Sequence, residues 1–93
     1  ILTTNLEIGN FNHINLNCTV GHDVQFHDYI TVYPGVNISG NVRINDCVEI
    51  GTGTKIIQGK EIVKETVIGA GSVVVKDIVE NGTYIGVPAK QMK

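Results

Sequence analysis

Residues 20–56 read VGHDVQFHDYITVYPGVNISGNVRINDCVEIGTGTKI, with an apolar side chain at every sixth position. The same step extends from Leu2 to Val74, and all thirteen positions on it are apolar in a chain that is 42% apolar. Chance gives such a run in only about one sequence in 10⁵, so the period reflects the fold. The column consists of Leu2, Ile8, Ile14, Val20, Phe26, Val32, Ile38, Ile44, Ile50, Ile56, Ile62, Ile68 and Val74. A short fixed period predicts a solenoid, in which stacked coils share one core.

Two further columns complete each six-residue unit. The residue four positions after each member of the six-step column is mostly aliphatic or small, and Asn12 and Lys60 are the exceptions. These inward residues are Leu6, Cys18, Val24, Ile30, Val36, Val42, Val48, Thr54, Thr66, Ser72 and Ile78. The residue three positions after each member of the column is Asn, Asp or Gly in nine units. These residue types tolerate positive φ and favour a tight corner. These nine are Asn5, Asn17, Asp23, Gly35, Asn41, Gly53, Gly59, Gly71 and Asp77.

Each unit is therefore predicted to be a short strand with a corner, and three units to close a triangular coil of eighteen residues. The fold class is an all-β parallel β-helix of about four to five coils, whose stacking sets residues eighteen apart above one another. Residues 1–79 are predicted to form the β-helix and residues 80–93 a cap over its last coil. Periodicity does not define the hand of the coil, since the general crossover rule favours the right. At Lys60 we expect a local bulge or a side chain that reaches out to solvent.

Composition narrows the functional classes. A net charge of −2 offers no basic surface for nucleic acid or an anionic membrane, and no apolar run is long enough to span a bilayer. Cys18 is predicted in the core and Cys47 in a corner, and their separation of 29 residues does not stack them, so both are expected as free thiols in a cytoplasmic protein. The chain starts inside a repeat at Ile1, and we expect it to be the C-terminal domain of something longer.

One corner carries groups suited to catalysis. His22 takes a corner position and Asp23 follows it directly. A lone surface histidine is usually only solvated, but a neighbouring carboxylate can orient an imidazole and strengthen it as a general base. Gly40 lies one coil of eighteen residues beyond His22, so its N–H can approach a ligand beside the ring with no side chain in the way.

Four segments resemble the hexapeptide-repeat acetyltransferases of bacterial amino-sugar biosynthesis, of the sialic acid and bacillosamine type. They are residues 12–23 (NHINLNCTVGHD), 34–40 (PGVNISG), 68–74 (IGAGSVV) and 86–90 (GVPAK), and the resemblance extends over essentially the whole chain. It implies a left-handed β-helix, acetyl-CoA as the acetyl donor, and a homotrimer with sites between subunits. In that family an N-terminal Rossmann-like half binds the sugar, and this chain corresponds to the C-terminal half alone.

Carried over position by position, the resemblance implies that His22 is the general base and that Asp23 polarises it. The backbone amide that faces the thioester carbonyl falls on Gly40. Contacts to acetyl-CoA fall on Thr31, Thr52 and Ala70. Thr31 departs from the histidine of some relatives, and Lys60 and Val63 depart from the usual aliphatic residue and glycine. The implied reaction is direct acetyl transfer to an amine or hydroxyl of a sugar or nucleotide sugar, with no covalent enzyme intermediate.

Two other functional classes stay open on the residues alone. The first is a structural or trimerising solenoid with a vestigial site, which would fail to bind CoA. The second is a metalloenzyme of the γ-carbonic anhydrase type, since His22 and His27 have the spacing found in β-helical zinc sites. The third ligand would fall 36 residues after His22, where the chain has Gln58, so no metal is expected. His13 lies half a coil from His22 and is predicted on another face.

Overall fold

The structure, a computed structural model, describes residues 6–92, and the predicted column residues Leu2 and Asn5 lie outside that range. Short strands alternate with turns along it, and none of its segments is a helix long and apolar enough to cross a membrane. The strands are β1 (Glu7–Ile8), β2 (His13–Ile14), β3 (Thr19–Val20), β4 (Gln25–Phe26), β5 (Thr31–Val32), β6 (Asn37–Ile38), β7 (Arg43–Ile44), β8 (Glu49–Ile50), β9 (Lys55–Ile56), β10 (Glu61–Ile62), β11 (Thr66–Ile68), β12 (Val73–Val74), β13 (Gly82–Ile85) and β14 (Lys90–Gln91).

Three sheets, parallel except at β14, form the faces of a triangular β-helix. The first face has the order β1-β4-β7-β10, the second β2-β5-β8-β11-β13-β14 and the third β3-β6-β9-β12. From β1 to β12, strand partners are eighteen residues apart, as in the pairs Gln25 with Arg43 and Asn37 with Lys55. The predicted all-β class and the length of the coil are therefore confirmed.

The three corners are named here by one residue of each. The His22 corner joins the third face to the first and comprises residues 21–23, 39–41, 57–59 and 75–77. The Tyr29 corner joins the first face to the second and comprises residues 9–11, 27–29, 45–47 and 63–65. The Thr52 corner joins the second face to the third and comprises residues 15–17, 33–35, 51–53 and 69–71.

The six-step column fills the core. From Val20 to Val74 each of its members is at most 3% exposed, while Ile8 in the first described coil is 44% exposed. A single coil of this size cannot bury its own apolar face, so the stacking of coils supplies the stability. The buried hydroxyls of Thr54 and Ser72 both donate to the carbonyl of Gly69, which satisfies them without a water.

Both exceptions in the inward column are accommodated without a break in the coil. The Asn12 amide accepts from the Ile30 N–H at 2.8 Å and donates to the His27 carbonyl at 2.8 Å, so it substitutes for backbone pairing between coils. Lys60 is half-buried, and the register of Glu61 with Arg43 stays at eighteen residues. The structure therefore has no bulge at Lys60.

Every sixth residue from Phe11 to Gly71 has positive φ, which confirms the predicted corners over this range. Four of these residues are neither Asn, Asp nor Gly, and all four lie on the Tyr29 corner: Phe11, Tyr29, Cys47 and Glu65. The coil geometry imposes the left-handed conformation there against the residues' own preference. That corner therefore stores backbone strain.

The prediction of Asp77 as a left-handed corner residue was wrong, because its φ is not positive. Ile78 pairs with Ile62, only sixteen residues earlier. The step from Val74 to the next residue of the six-step column is therefore four residues, which makes this last passage of the His22 corner two residues shorter than the others. Ile78 is buried, but in the six-step column rather than the second inward column. The Asp77 carboxylate accepts from the Glu61 N–H at 2.9 Å, which pins this tight turn to the coil before it.

A cap follows the last coil. Strand β13 extends the second face by pairing in parallel with β11, and β14 folds back antiparallel to β13. The Gly86 N–H donates to the Ser72 hydroxyl and the Ala89 N–H to the Val73 carbonyl. Tyr84 and Ala89 of this segment pack against the core.

Strain on the Tyr29 corner leads to a stability prediction. Glu65→Gly is expected to raise the free energy of unfolding by about 0.5–1 kcal/mol, because relief of a left-handed side-chain residue exceeds the entropy cost of glycine. Lys55→Gly, in the middle of the third face, is the matched control and is expected to lower it by about 0.5–1 kcal/mol. Urea unfolding of both variants measures the difference. An equal loss of stability in the two would show that the corner is unstrained.

Candidate active site

The His22 corner presents a histidine and a carboxylate that are joined by a hydrogen bond. Strand β3 ends just before it and β4 begins just after it, so both side chains are held by short rigid segments. The His22 Nδ1 lies 3.0 Å from the Asp23 Oδ2, with side chains 55% and 48% exposed. A carboxylate at Nδ1 selects the neutral tautomer that carries its proton there, which leaves Nε2 as the acceptor of a proton.

Gly40 lies directly against the imidazole. A Cβ added to Gly40 would be 2.8 Å from Nε2 and 2.9 Å from Cε1 of His22, so any side chain at this position would displace the ring. The Asn41 N–H donates to the His22 carbonyl at 2.9 Å and ties the two coils together. The absence of a side chain thus sets the position of Nε2 relative to the backbone of Gly40.

Gly21 brings the same two coils close together, a feature that sequence reasoning missed. A Cβ on Gly21 would lie 2.6 Å from the Gly40 nitrogen, which is closer than real contacts allow. Most units carry a side chain at this first corner position, so a glycine just before His22 was a visible signal. Gly21 and Gly40 together let the imidazole and the Gly40 amide share one small space.

The Gly40 N–H differs from equivalent groups on the Tyr29 corner. There, carboxylates one coil on accept from the corner amides: Asp28 from the Asn10 N–H at 2.7 Å and Asp46 from the Asp28 N–H at 2.9 Å. At the His22 corner the residue one coil on is Gln58, and the Gly40 N–H donates to no atom within residues 6–92. Among the described residues it is therefore an unpaired donor close to the imidazole.

The remaining predicted contacts lie elsewhere on the chain. Thr52 and Ala70 meet at the Thr52 corner, where a Cβ on Gly51 would come within 2.6 Å of the Ala70 nitrogen. Thr31 lies in β5 on the second face, paired with Glu49. Within one chain the whole third face separates the Thr52 corner from the His22 corner. The structure therefore brings His22, Asp23 and Gly40 together and leaves the other three apart from them.

The other candidate metal ligands lie on different faces and corners of the coil. His13 pairs with Thr31 on the second face, and the His27 Nδ1 lies 3.9 Å from the Asp46 Oδ1 on the Tyr29 corner. Cys18 is buried and Cys47 exposed, which confirms their predicted core and corner positions, and neither is in a disulfide within the described residues. In the described part of the chain no three His, Cys, Asp or Glu side chains form a metal-binding group.

Several known acetyltransferases are similar to this chain in sequence and in structure. A scan against models of protein families finds no match. GDP-perosamine N-acetyltransferase of Escherichia coli O157:H7 is 43% identical over 70 residues, which are 75% of this chain and 31% of that protein. The structure of WeeI from Acinetobacter baumannii AYE matches with a TM-score of 0.92 and 39% identity, over 96% of this chain and 44% of that one. The acetyltransferase domain of PglB from Neisseria gonorrhoeae FA1090, in complex with acetyl coenzyme A, matches with a TM-score of 0.86 and 28% identity, over 98% of this chain and 53% of its own.

The chain therefore belongs to the hexapeptide-repeat acetyltransferases and shares their left-handed β-helix. Its six-residue repeats carry a histidine–carboxylate pair at one corner. Within that class it corresponds to the C-terminal part of sugar-modifying relatives. The chain spans about a third of the curated relative from Escherichia coli and less than half of WeeI.

Proposed function

We propose that this chain is the acetyl-transfer part of an enzyme that moves the acetyl group of acetyl-CoA to an amine or hydroxyl of a sugar or nucleotide sugar. The observation that carries the proposal is the His22–Asp23 pair at 3.0 Å, whose free Nε2 lies against Gly40. A base and an amide donor meet there in one place, as acyl transfer requires. Relatives named as acetyltransferases, one of them bound to acetyl coenzyme A, support the same donor here.

The proposed reaction has a single tetrahedral intermediate. As the acceptor nitrogen or oxygen attacks the thioester carbonyl, its proton passes to His22 Nε2, and Asp23 stabilises the imidazolium that results. The Gly40 N–H donates to the oxyanion. Collapse breaks the carbon–sulfur bond, and the CoA thiolate takes the proton from His22 to leave as the thiol. The products are the acetylated sugar and free CoA, and no group on the protein is acylated.

The donor is proposed to lie along the Thr52 corner of a neighbouring copy. Thr52 and Ala70 meet at that corner, and a Cβ on Gly53 or Gly71 would touch nothing within 4 Å, so the ridge is open to a ligand. Because the third face separates this corner from His22 within one chain, a second subunit is needed to bring them together. A homotrimer with one site at each subunit boundary meets that need, with Thr31 on the adjoining face.

We place the reaction in the cytoplasm, where acetyl-CoA is available and the reduced thiols of Cys18 and Cys47 are stable. In the full-length protein, residues 1–79 are proposed as the transferase β-helix and residues 80–93 as its cap. Many contacts to the acceptor are proposed to lie outside this chain, in a preceding sugar-binding domain.

Steady-state transfer by the full-length protein tests the proposal. With acetyl-CoA and GDP-perosamine, the acceptor named for the Escherichia coli relative, we expect release of the CoA thiol and an acceptor heavier by one acetyl group. Other amino sugars and hydroxyl sugars extend the acceptor series. Tight binding of acetyl-CoA with no transfer to any acceptor in the series would contradict the enzymatic function.

A further inference from the structure

Asn81 is followed by Gly82 at the start of the cap, and this is the one asparagine–glycine pair in the sequence. Asn81 is exposed, in a bend that leads into β13. Its main-chain carbonyl accepts from the Gln91 Nε2 at 3.3 Å, while its side-chain carboxamide bonds to no atom within residues 6–92. The carboxamide therefore faces water, with no hydrogen bond to hold it away from the backbone that follows.

The other described asparagines lack either an unbonded side chain or a following glycine. Those with side chains that are hydrogen-bonded between coils are Asn12, Asn15, Asn37 and Asn45. The exposed ones, which precede Phe11, Cys18 and Val42, are Asn10, Asn17 and Asn41. A side chain on the following residue crowds its own backbone nitrogen, whereas glycine leaves that nitrogen open to close approach. Asn81 alone combines the two conditions among residues 6–92.

The backbone nitrogen of Gly82 and the Cγ of Asn81 are arranged for an intramolecular reaction. A bond between them closes a five-membered ring, and tethered groups that form such a ring react far faster than separate molecules do. Gly82 has a φ of 142°, a conformation that residues with a side chain rarely adopt. The absence of a Cβ thus gives this peptide the freedom that ring closure needs.

We propose that Asn81 is a site of spontaneous covalent modification, at which its carboxamide is lost as ammonia and the chain becomes an aspartate or an isoaspartate. The Gly82 nitrogen loses its proton to hydroxide and bonds to Cγ, and the side-chain nitrogen takes up a proton and leaves. Water then opens the cyclic imide at one of its two carbonyls. Opening at the main-chain carbonyl gives isoaspartate, in which the chain continues through Cγ. The inference is independent of acetyl transfer.

The modification falls where the cap is anchored. The Asn81 carbonyl accepts from Gln91 on β14, and the Glu80 carbonyl accepts from the Tyr84 hydroxyl at 2.8 Å. In isoaspartate the main chain is one methylene longer just before Gly82, and a new carboxylate lies close to Glu80. The pairing of β13 with the second face is register-dependent, so it is expected to loosen at this end. The coils before it pair with one another and are expected to stay as they are.

Peptide mass mapping of the full-length protein, stored for weeks at mildly alkaline pH, tests the proposal. The peptide that contains Asn81 is expected to gain the mass difference between a carboxamide and a carboxylic acid. Part of it should resist an endoproteinase specific for aspartate, as isoaspartate does. The peptides with Asn17 and Asn41 are internal controls and should keep their mass. Asn81→Gln, whose longer side chain would have to close a six-membered ring, is the matched variant and is expected to stay unmodified.

Amide hydrogen exchange of the stored protein measures the effect on the cap. The Met92 N–H, which donates to the Thr83 carbonyl, is expected to exchange about three- to tenfold faster after storage, because an anchoring hydrogen bond is lost. The Gly21 N–H, which donates to a carbonyl within the coils, is the control and should not change. Stored Asn81→Gln should exchange as the fresh protein does.

The two measurements separate the site from its consequence. An Asn81 peptide that keeps its mass, or that reacts no faster than the peptides with Asn17 and Asn41, would overturn the proposal. Modified Asn81 with unchanged exchange at Met92 would uphold the site and overturn its effect on the cap. Faster exchange in stored Asn81→Gln as well would show that the cap loosens for another reason.

Discussion

His22→Ala in the full-length protein is expected to lower kcat for acetyl transfer by about 10²- to 10⁴-fold, the usual contribution of a positioned general base. The ring is more than half exposed and is not part of the core, so the variant should fold as the wild type does. The initial rate of CoA thiol release, measured at varied concentrations of acetyl-CoA and of acceptor, gives kcat and both KM values. A fall in kcat with little change in either KM would place the loss in the chemical step.

His27→Ala is the matched control for that experiment. It removes an exposed histidine with a carboxylate 3.9 Å away, but on the Tyr29 corner, across the first face from His22. Its turnover is expected to stay close to that of the wild type. Near-normal turnover in His22→Ala, or an equal loss in the two variants, would remove His22 from the mechanism.

Gly40→Ala is expected to lower kcat by about 10²-fold, comparable to the loss of one oxyanion donor. The added Cβ would lie 2.8 Å from His22 Nε2, and the exposed ring can swing away more readily than the backbone can shift. Turnover should therefore fall while the melting temperature stays close to that of the wild type. Activity and thermal unfolding measured on the same sample give both quantities.

Ser39→Ala, one residue earlier on the same corner, is the control for a small change at an exposed position. It is expected to keep both activity and stability. Full activity in Gly40→Ala would mean that the contact between Gly40 and the imidazole has no part in the reaction. A large drop in its melting temperature would instead assign Gly40 a role in folding.

Much of the fold followed from spacing alone. The apolar six-step column predicted which side chains fill the core, and a coil of eighteen residues predicted that Gly40 lies next to His22. Both succeed because a solenoid repeats one local geometry, so that distance along the chain converts directly into distance in space.

The departures have two physical origins: the coil overrides local preference at its corners, and the apolar pattern does not distinguish the two inward columns. Tyr29 and Glu65 adopt positive φ because the coil requires a corner there, and their residue type carries no signal of it. The shortened turn before Ile78 was hidden because an isoleucine fits either inward column. Neither feature changes the apolar pattern from which the repeat is read.

The candidate site was only partly accessible from the residues. His22 and Asp23 are adjacent in sequence, so their pairing needed no knowledge of the fold. The unpaired Gly40 N–H could not be found in this way, because whether a backbone amide has an acceptor one coil further on is a property of the folded chain.

The most direct test is a single-turnover reaction with enzyme in excess over labelled acetyl-CoA, in the presence of GDP-perosamine. Direct transfer at His22 predicts that the label moves to the acceptor in step with CoA release, with none on the protein, and that His22→Ala slows both by about 10²- to 10⁴-fold. Label that accumulates on the protein, or CoA released by His22→Ala at the rate of the wild type, would contradict it.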